Sequence, residues 1–527
     1  MRSILPGLCL ICIFTFFSAG SHAQTFSINW GAKARLKYDF DDAVSLSNGN
    51  FIVLKLEEKG GGMFSRAKVI RHLMLVDKTG ETLNETPLDL DESVSTGKGL
   101  EKYGNNIFYM YNTYDKDNKT TTLYAIKIDE KTMAMSDKIS LGVFESDSRS
   151  DQADVSFKLS SDSSRLMVFA EGPDRKKENE KFYIGVFDTN LKKLWSRDAE
   201  LDINQRYVSL YDEDITNDGQ VYVAIKHYDK EVTRERVKEN GEKIPSYTYQ
   251  LLKYSDGKSK QKEISFNLDN KFIEGTKLIY DKKGNITVAG LYKQKYNGRI
   301  TGVFYTSIDP AVSEVKNPKM EDFPGDLISL VDKDGFGSDG KSDPGLYQHF
   351  KIRHILARDN GSVDLVAEYY RLDIRTYYNA QSHTTTTTYY YYYGDVVNTN
   401  IDKTGKAVFT RVPKNQKFAN ATLFMGFFPL VYKDKLVLLF NDDKDNIDRD
   451  LSKAPDDVMK FNKSALVAAT INDKGVLSRE SIYDNDDEDY VVLPRNTSRI
   501  DDHTYLISSD LIKMFKKRTR FGVLTIK

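Results

Sequence analysis

Eight times along this chain a short turn rich in Asn, Asp, Gly or Ser runs straight into a strongly apolar, β-favouring segment. The first four are Ser47-Asn48-Gly49-Asn50 before Phe51-Ile52-Val53-Leu54, Gly104-Asn105-Asn106 before Ile107, Ser161-Asp162-Ser163-Ser164 before Leu166, and Asn217-Asp218-Gly219 before Val221. The next four are Asp281-Lys282-Lys283-Gly284 before Ile286, Asp359-Asn360-Gly361 before Val363, Lys433-Asp434-Lys435 before Leu436, and Asp501-Asp502-His503 before Tyr505. Turn residues and β-branched or aromatic runs at this density read as hairpins, not helices. A second signal alternates with the first. Strands ending on Val76, Ile128, Phe187, Tyr254, Ile308, Ile401 and Ile471 each meet an Asp, Asn or Ser turn. Its clearest copies are Val76-Asp77-Lys78-Thr79-Gly80 and Ile401-Asp402-Lys403-Thr404-Gly405. There the Asp side chain can accept backbone N–H groups while Gly takes the left-handed conformation.

Two hairpins per unit make a four-stranded antiparallel blade, and the series predicts an all-β fold: a single β-propeller. Eight blades are expected, with seven as the alternative. The approximate bounds are 38–90, 95–144, 153–203, 208–267, 275–322, 350–413, 421–483 and 490–527. The eighth copy of the second signal, Phe521 to Ile526, is followed only by Lys527, so its outer strand is missing. Phe26-Ser27-Ile28-Asn29-Trp30 resembles the third unit's outer strand, Leu191 to Ser196. Residues 24–36 are therefore expected to close the ring as the last blade's outer strand, pairing an edge that would otherwise stay open.

Residues 1–23 read as a secretory signal: Arg2, an apolar stretch from Ile4 to Phe17, and Ser21-His22-Ala23 as the cleavage site. Both cysteines, Cys9 and Cys12, lie inside it, so the exported chain is expected to lack disulfides, thiolate catalysis and Cys-ligated zinc. No later apolar run is long enough to span a bilayer. Lys and Arg total 76 against 77 Asp and Glu, which gives no global field for nucleic acid or anionic membrane. Export to the periplasm, outer membrane or exterior of a Gram-negative bacterium, as a monomer, fits these traits.

Short turns join a to b and c to d within each blade, and both kinds share one face. Long segments at Asp229 to Tyr247, Ala311 to Tyr347, Arg371 to Thr388 and Asp442 to Asn462 belong to the opposite face, where a rigid scaffold would carry its binding loops. Across the third and its continuation, Arg371 to Asn398, His383, five threonines and Tyr389, Tyr390, Tyr391, Tyr392 and Tyr393 lie on what reads as an extended hairpin bending near Ala380. These aromatic residues are the binding candidates, since Tyr offers large contact area at low entropic cost; the competing reading is that they merely cover the hairpin itself. Tyr228 to Tyr249 reads as a second, charged hairpin bending at Glu239 to Glu242.

No catalytic residue, metal site or cofactor is expected. Asp332, Asp334 and Asp339 form the one calcium candidate, but Phe336 occupies the third ligand position of such a loop and no Glu follows at the twelfth. Asp442 to Asn446 and Asp484 to Asp489 read as solvated acidic loops, and His349 and His354 as packing residues. Nucleophile-elbow, phosphate-loop and dinucleotide motifs are absent. Paired carboxylates in the central funnel leave no sequence signature and keep glycoside hydrolysis open.

Gly185-Val186-Phe187-Asp188-Thr189-Asn190-Leu191-Lys192-Lys193-Leu194-Trp195, with the Asp-Lys-Thr-Gly turns, resembles the repeat of quinoprotein-like eight-bladed propellers. Most copies here lack the Trp, and the vicinal Cys pair of the quinone users is missing, so the resemblance implies a non-catalytic envelope scaffold. The functional expectation is a secreted or periplasmic propeller that recognises an envelope protein or glycan through its long-loop face. The alternatives are a glycan hydrolase and a purely structural component.

Overall fold

The computed structural model describes residues 25–32, 39–59, 68–90, 94–173, 178–229, 236–239, 241–256, 261–266, 268–311, 314–315, 318–332, 343–511 and 518–527. Residues 1–23, expected to be a secretory signal, lie outside these. The described residues form nine antiparallel sheets, eight of them arranged as the blades of a propeller. Strands a to d run outward from the axis in each. The inner strands are Asp39–Ser45, Val94–Tyr103, Asp154–Leu159, Val208–Ile215, Phe272–Tyr280, Phe350–Ala357, Phe428–Tyr432 and Tyr490–Val492.

Burial follows strand position. Middle strands are covered on both faces by neighbouring blades and read as continuous apolar runs, as in Ala465–Ile471, where every residue is buried. Outer strands are half-solvated and alternate, as in Leu477–Asp484. The core is accordingly a series of apolar layers between blades and not one central cluster. The third strands end at Val76, Ile128, Phe187, Tyr254, Asp309, Ile401 and Ile471.

The last blade takes its outer strand from the other end of the chain. Phe26–Trp30 pairs antiparallel with Thr519–Ile526, with Phe26 opposite Ile526 and Trp30 opposite Gly522. Trp30 packs edge-on against Tyr483 at 5.2 Å and lies under the Arg520 guanidinium at 4.3 Å. Trp195, the other tryptophan, also sits on an outer strand, Lys193–Asn204, and its indole donates to the Gly219 carbonyl at 3.3 Å.

The Asp-Lys-Thr-Gly turns are built alike. Asp77 Oδ1 accepts from the N–H groups of Thr79 (2.8 Å) and Glu81 (2.9 Å), and Asp402 Oδ1 from those of Thr404 (2.7 Å) and Lys406 (2.9 Å). Partial burial pushes the Asp77 carboxyl up, but the Thr79 hydroxyl and these N–H groups outweigh it and hold the pKa below its usual value. Gly80 has φ +89°, and a Cβ there would lie 2.5 Å from the Phe521 carbonyl and 2.8 Å from Gly31. That turn thus fastens the closing segment to the first blade. Ala32 N–H adds a bond to Glu81 Oε1 at 2.8 Å.

Neighbouring blades are also clasped near the axis. Asp42 and Asp212 each follow a bulge in an inner strand. Their carboxylates accept from inner strands of the next blades, at Leu100 N–H (2.8 Å) and Leu278 N–H (2.7 Å). The described residues between Ala311 and Tyr347 include regular structure that their composition does not suggest. They hold the fifth blade's outer strand, Glu314–Val315 and Lys319–Asp322, and a helix, Gly325–Asp332, that buries Leu327 and Val331 four residues apart.

Candidate functional site

Described a–b and c–d turns keep to a few residues, so that face is nearly flush. Among the described residues, the hairpins that project lie on the opposite face. On the fourth blade Arg236–Glu239 pairs with Glu242–Pro245 as a small hairpin; Lys230, Glu231, Arg234, Glu235 and Asn240 lie outside the described residues. On the sixth, strands Val363–Asn379 and Thr384–Ile401 continue past the ring and pair as far as Asn379 with Thr384. Ten residues beyond the inner strand's last partner, Tyr370 to Asn379, at about 3.3 Å each, form a tongue roughly 30 Å long.

Chemistry of the threonine and tyrosine runs explains why this hairpin persists outside the ring: both are strong strand formers, and they follow one another on one arm, opposite Tyr370 to Asn379 of the other. Thr376 and Thr387 hydroxyls meet at 3.3 Å. Asn379 Oδ1 accepts from the N–H groups of Gln381 and Ser382 to close the tip, with His383 at φ +51° and its Nδ1 3.0 Å from the Tyr378 hydroxyl. At the root Gln416–Ala419 adds a third strand beside Tyr390 to Tyr393. The other arm has no ladder partner on its outer edge between Arg371 and Asn379 among the described residues.

The two faces of the tongue differ. On one, Arg371 covers the Tyr392 ring at 4.4 Å and Arg375 the Tyr390 ring at 4.7 Å, with Arg371 also paired to Asp373. On the other, Leu372, Ile374 and Tyr378 stand opposite Tyr391, Tyr389 and Thr385. Ile374 is 59% exposed, Tyr378 56%, Tyr389 41% and Leu372 38%; Tyr377, on the arginine side, reaches 69%. No other element among the described residues holds more than one exposed large apolar side chain.

This stripe runs down into a buried nest at the root, where Tyr393, Met425, Val458, Phe461 and Val491 pack with Tyr391 and Phe418. Beneath the nest lies a polar relay. Lys414, wholly buried, donates to Glu368 Oε1 at 2.8 Å; Arg353 donates to the other oxygen at 2.9 Å. Gln416 Nε2 then donates to the Asn441 carbonyl at 2.7 Å, and Asn441 Nδ2 to the Val492 carbonyl at 2.9 Å. Burial holds the Lys414 pKa below its usual value despite Glu368. The relay joins blades six, seven and eight under the tongue and fixes its direction.

Between blades four and five, at the mouth of the channel, a pocket of about 370 Å³ is lined by Tyr211, Lys226, Phe272, Glu274, Lys293 and Tyr296, among others. Lys226 lies over the rings of Tyr247 (4.1 Å), Tyr211 (5.2 Å) and Tyr228 (5.8 Å). Ile273 N–H donates to the Tyr247 hydroxyl at 2.8 Å and fixes that ring.

Carboxylates also stand on the inner strands. Lys277 and a backbone N–H hold Asp212, and the Ser156 hydroxyl donates to Glu213. Burial, then the neighbouring Asp42, pushes Glu101 up to about 7. Glu171 is raised by burial and then by Asp154 and Glu213, and it lines a cleft of about 410 Å³ with Glu145, Glu178 and Glu200.

The aromatic residues picked out by sequence are therefore spread along the tongue. His383 is at the tip, Tyr389 is exposed, Tyr390, Tyr391 and Tyr392 are half-buried, and Tyr393 is buried at the root. Leu372, Ile374, Tyr377 and Tyr378 on the facing arm escaped notice, although alternation within Arg371 to Tyr378 would have marked them. Asp332 ends the helix and is paired with Arg299 at 3.1 Å, while Asp334 and Asp339 lie outside the described residues. The described residues contain no cluster able to hold a metal ion. His354 packs on Phe427 and His349 on Tyr369. Asp442, read from sequence as solvated, is instead buried beside Asn446, and burial pushes it up to about 6. No described helix is long and apolar enough to cross a membrane.

No family model matches the chain, and no curated protein does. Among solved structures it is similar to the β-propeller domain of the Trilobed protease from Pyrococcus furiosus, with TM-score 0.36 and 10% identity over 86% of this chain and 98% of that one. Pyrococcus horikoshii acylaminoacyl peptidase gives 0.37 and 12% over 93% of this chain and 60% of the peptidase. Penicillium chrysogenum alpha-L-arabinanase complexed with arabinobiose gives 0.31 and 9% over 65% of this chain and 93% of that one. The architecture described above rests on the strand ladders and owes nothing to these likenesses.

Proposed function

We propose that this chain is an exported, non-enzymatic propeller that captures a protein partner of the cell envelope with its long-loop face, the sixth-blade tongue being the grip. One observation carries the reading: the tongue gathers exposed Leu372, Ile374, Tyr378 and Tyr389 on one face of a hairpin whose root is locked by a buried polar relay. Exposed apolar side chains grouped on a rigid, projecting element mark interaction surfaces, and rigid aromatics supply much of the energy in such contacts. The free edge of the Arg371 to Asn379 arm adds backbone groups that an extended segment can pair with. The resemblance of the turns to quinoprotein-like propellers, without the cysteines, also supports a scaffold.

The test is a binding comparison between the parent chain and an Ile374→Ser, Tyr378→Ser, Tyr389→Ser triple variant, using envelope proteins and purified envelope glycans in separate arms. Selective capture of one identified protein by the parent, lost in the variant, is the expected result. Equal capture by both removes the tongue from the account, and capture confined to the glycan arm changes the partner class.

Glycoside hydrolysis is the second reading, favoured by a cleft of about 410 Å³ that Glu171 lines together with Glu145 and Glu200. Turnover of chromogenic glycosides that disappears in Glu171→Gln would establish it in place of the first.

A further inference from the structure

Outside the ring, the arm of the tongue that follows Tyr370 forms one edge of the sixth sheet, and the direction of its backbone groups can be read from its neighbours. Asn420 N–H donates to the Tyr389 carbonyl at 2.8 Å, so Tyr389 turns its backbone groups away from the facing arm, toward the side of Gln416–Ala419. Ile374 stands directly opposite Tyr389. Both members of such an antiparallel pair turn outward, so Ile374 aims its N–H and C=O at the open edge. Leu372 and Thr376 do the same by period-2 alternation. Tyr370, in the same phase, donates its N–H on that side to the His349 carbonyl at 3.0 Å. The outward groups of Leu372, Ile374 and Thr376 meet no backbone partner among the described residues.

Exposed edges are usually blocked by charge. On this arm the charges alternate in sign along one face, as Arg371, Asp373 and Arg375. Arg375 lies over the Tyr390 ring at 4.7 Å and has no carboxylate partner among the described residues. Asp373 takes Arg371 at 3.1 Å, and a carboxylate has lone pairs left for a second guanidinium. Two copies of the arm related by a two-fold axis pair antiparallel, edge to edge. With Ile374 opposite its own mate, the outward groups of Leu372, Ile374 and Thr376 meet those of Thr376, Ile374 and Leu372. Asp373 of each copy then faces Arg375 of the other, at the closely spaced positions of the ladder. Centring the pair on Asp373 or Arg375 instead sets arginine opposite arginine, and centring it on Leu372 calls for Tyr370, which His349 already holds.

We propose that this edge joins two copies of the chain, Arg371 to Tyr377 of one against the same residues of the other, into one continuous sheet of two tongues. Directly opposite residues of a ladder share a face, so Leu372 and Ile374 of both copies fall on one side and the apolar stripe is doubled. Arms this short bury less than the roughly 1,200 Å² of a standard stable complex, so the association is weak, with a dissociation constant of about 0.1 mM. Dilute chain is monomeric, and copies gathered at one surface pair.

The experiment is sedimentation equilibrium of the chain beginning at Gln24, from about 5 µM to about 500 µM, a range that brackets that constant. Monomer at the low end and dimer at the high end are expected. Arg375→Asp and Asp373→Arg each set like charges opposite one another and should weaken association at least about tenfold. The double variant carrying both changes restores the opposite pairs and should return to within about threefold of the parent. Thr376→Pro, which removes an outward N–H and no bond to the facing arm, should weaken association as well. Each variant is compared at a thermal midpoint shared with the parent; if Thr376→Pro fails this check, the charge variants decide. Capture of an envelope partner is scored at the dilute end, where the chain is monomeric, so loss of capture and loss of self-association are read separately. A parent that stays monomeric at the highest concentration, a dimer indifferent to both charge variants, or a double variant as weak as the single ones would each overturn the proposal. So would a monomeric parent whose edge binds only an extended segment of another protein.

Discussion

A chain beginning at Gly31, compared with one beginning at Gln24, removes the strand that completes the eighth blade. Three half-buried side chains go with it: Phe26, Ile28 and Trp30 pack on the apolar layer between blades seven and eight. Half-burial of Phe26 and Ile28 is worth about 1 kcal/mol each. Trp30 adds about 2 kcal/mol from its packing on Tyr483 and Arg520. The total is about 4 kcal/mol. Unfolding entropy of about 2.1 cal/mol/K per residue over about 500 residues is about 1 kcal/mol per degree, so the midpoint should drop by about 4 °C if the ring melts as one unit. The freed edge of Thr519–Ile526 should also pair between molecules. Differential scanning calorimetry with size-exclusion chromatography checks both effects. A truncated chain that melts within a degree of its parent and elutes as a single monomeric peak would refute the closure energetics.

Other expectations follow from single positions. Gly80→Ala should destabilise by more than about 2 kcal/mol, since its Cβ meets the Phe521 backbone in addition to the strain of φ +89°. Gly405→Ala, where a Cβ meets the flexible end of Lys319 and the Tyr305 ring but no backbone among its nearest neighbours, should cost about 1 kcal/mol, and urea midpoints compare the two. His354 is held neutral by burial, its pKa lowered to about 4. The unfolded chain therefore binds a proton that the folded chain refuses, and stability present above about pH 6.5 is lost as pH falls toward 4. The full drop is worth about 3 kcal/mol, trimmed to about 2 by exposure to the channel; His354→Gln should flatten that part of the difference curve, and parallel curves would refute the assignment. Lys414→Met leaves Glu368 buried with Arg353 alone and should cost about 3–5 kcal/mol, much of it recovered by adding Glu368→Gln, as urea unfolding of the double variant would show.

The fold was legible because its determinants are local. Asp77, Asp402 and their kin sit at fixed distances from apolar strands, so turn chemistry marks where third strands end; six of seven ends fall on the residue read from the sequence, and only Ile308 is extended by one, to Asp309. Phe26 to Trp30 was legible as a closing strand because it carries the same pattern as Leu191 to Ser196. The helix at Gly325–Asp332 went unread since eight residues with two buried positions give too weak a periodicity. The long-loop face was only half legible. A run of five tyrosines drew attention to one arm of the tongue, while which of them is exposed depends on Gln416–Ala419, which follows the blade's outer strand and docks back beside them. The pocket at Lys226 joins residues from Tyr211 to Gln348, and such a convergence has no trace in local sequence.

The central claim is that the tongue side of the ring, and not the flush side, meets the partner. Photo-crosslinking tests it most directly, with a reactive phenylalanine analogue placed at Tyr377 on the tongue or at Lys282 in a short turn of the opposite face. The account predicts one discrete crosslinked partner from position 377 in envelope preparations and none from position 282. Crosslinks from 282 alone, or the same pattern from both, would contradict it.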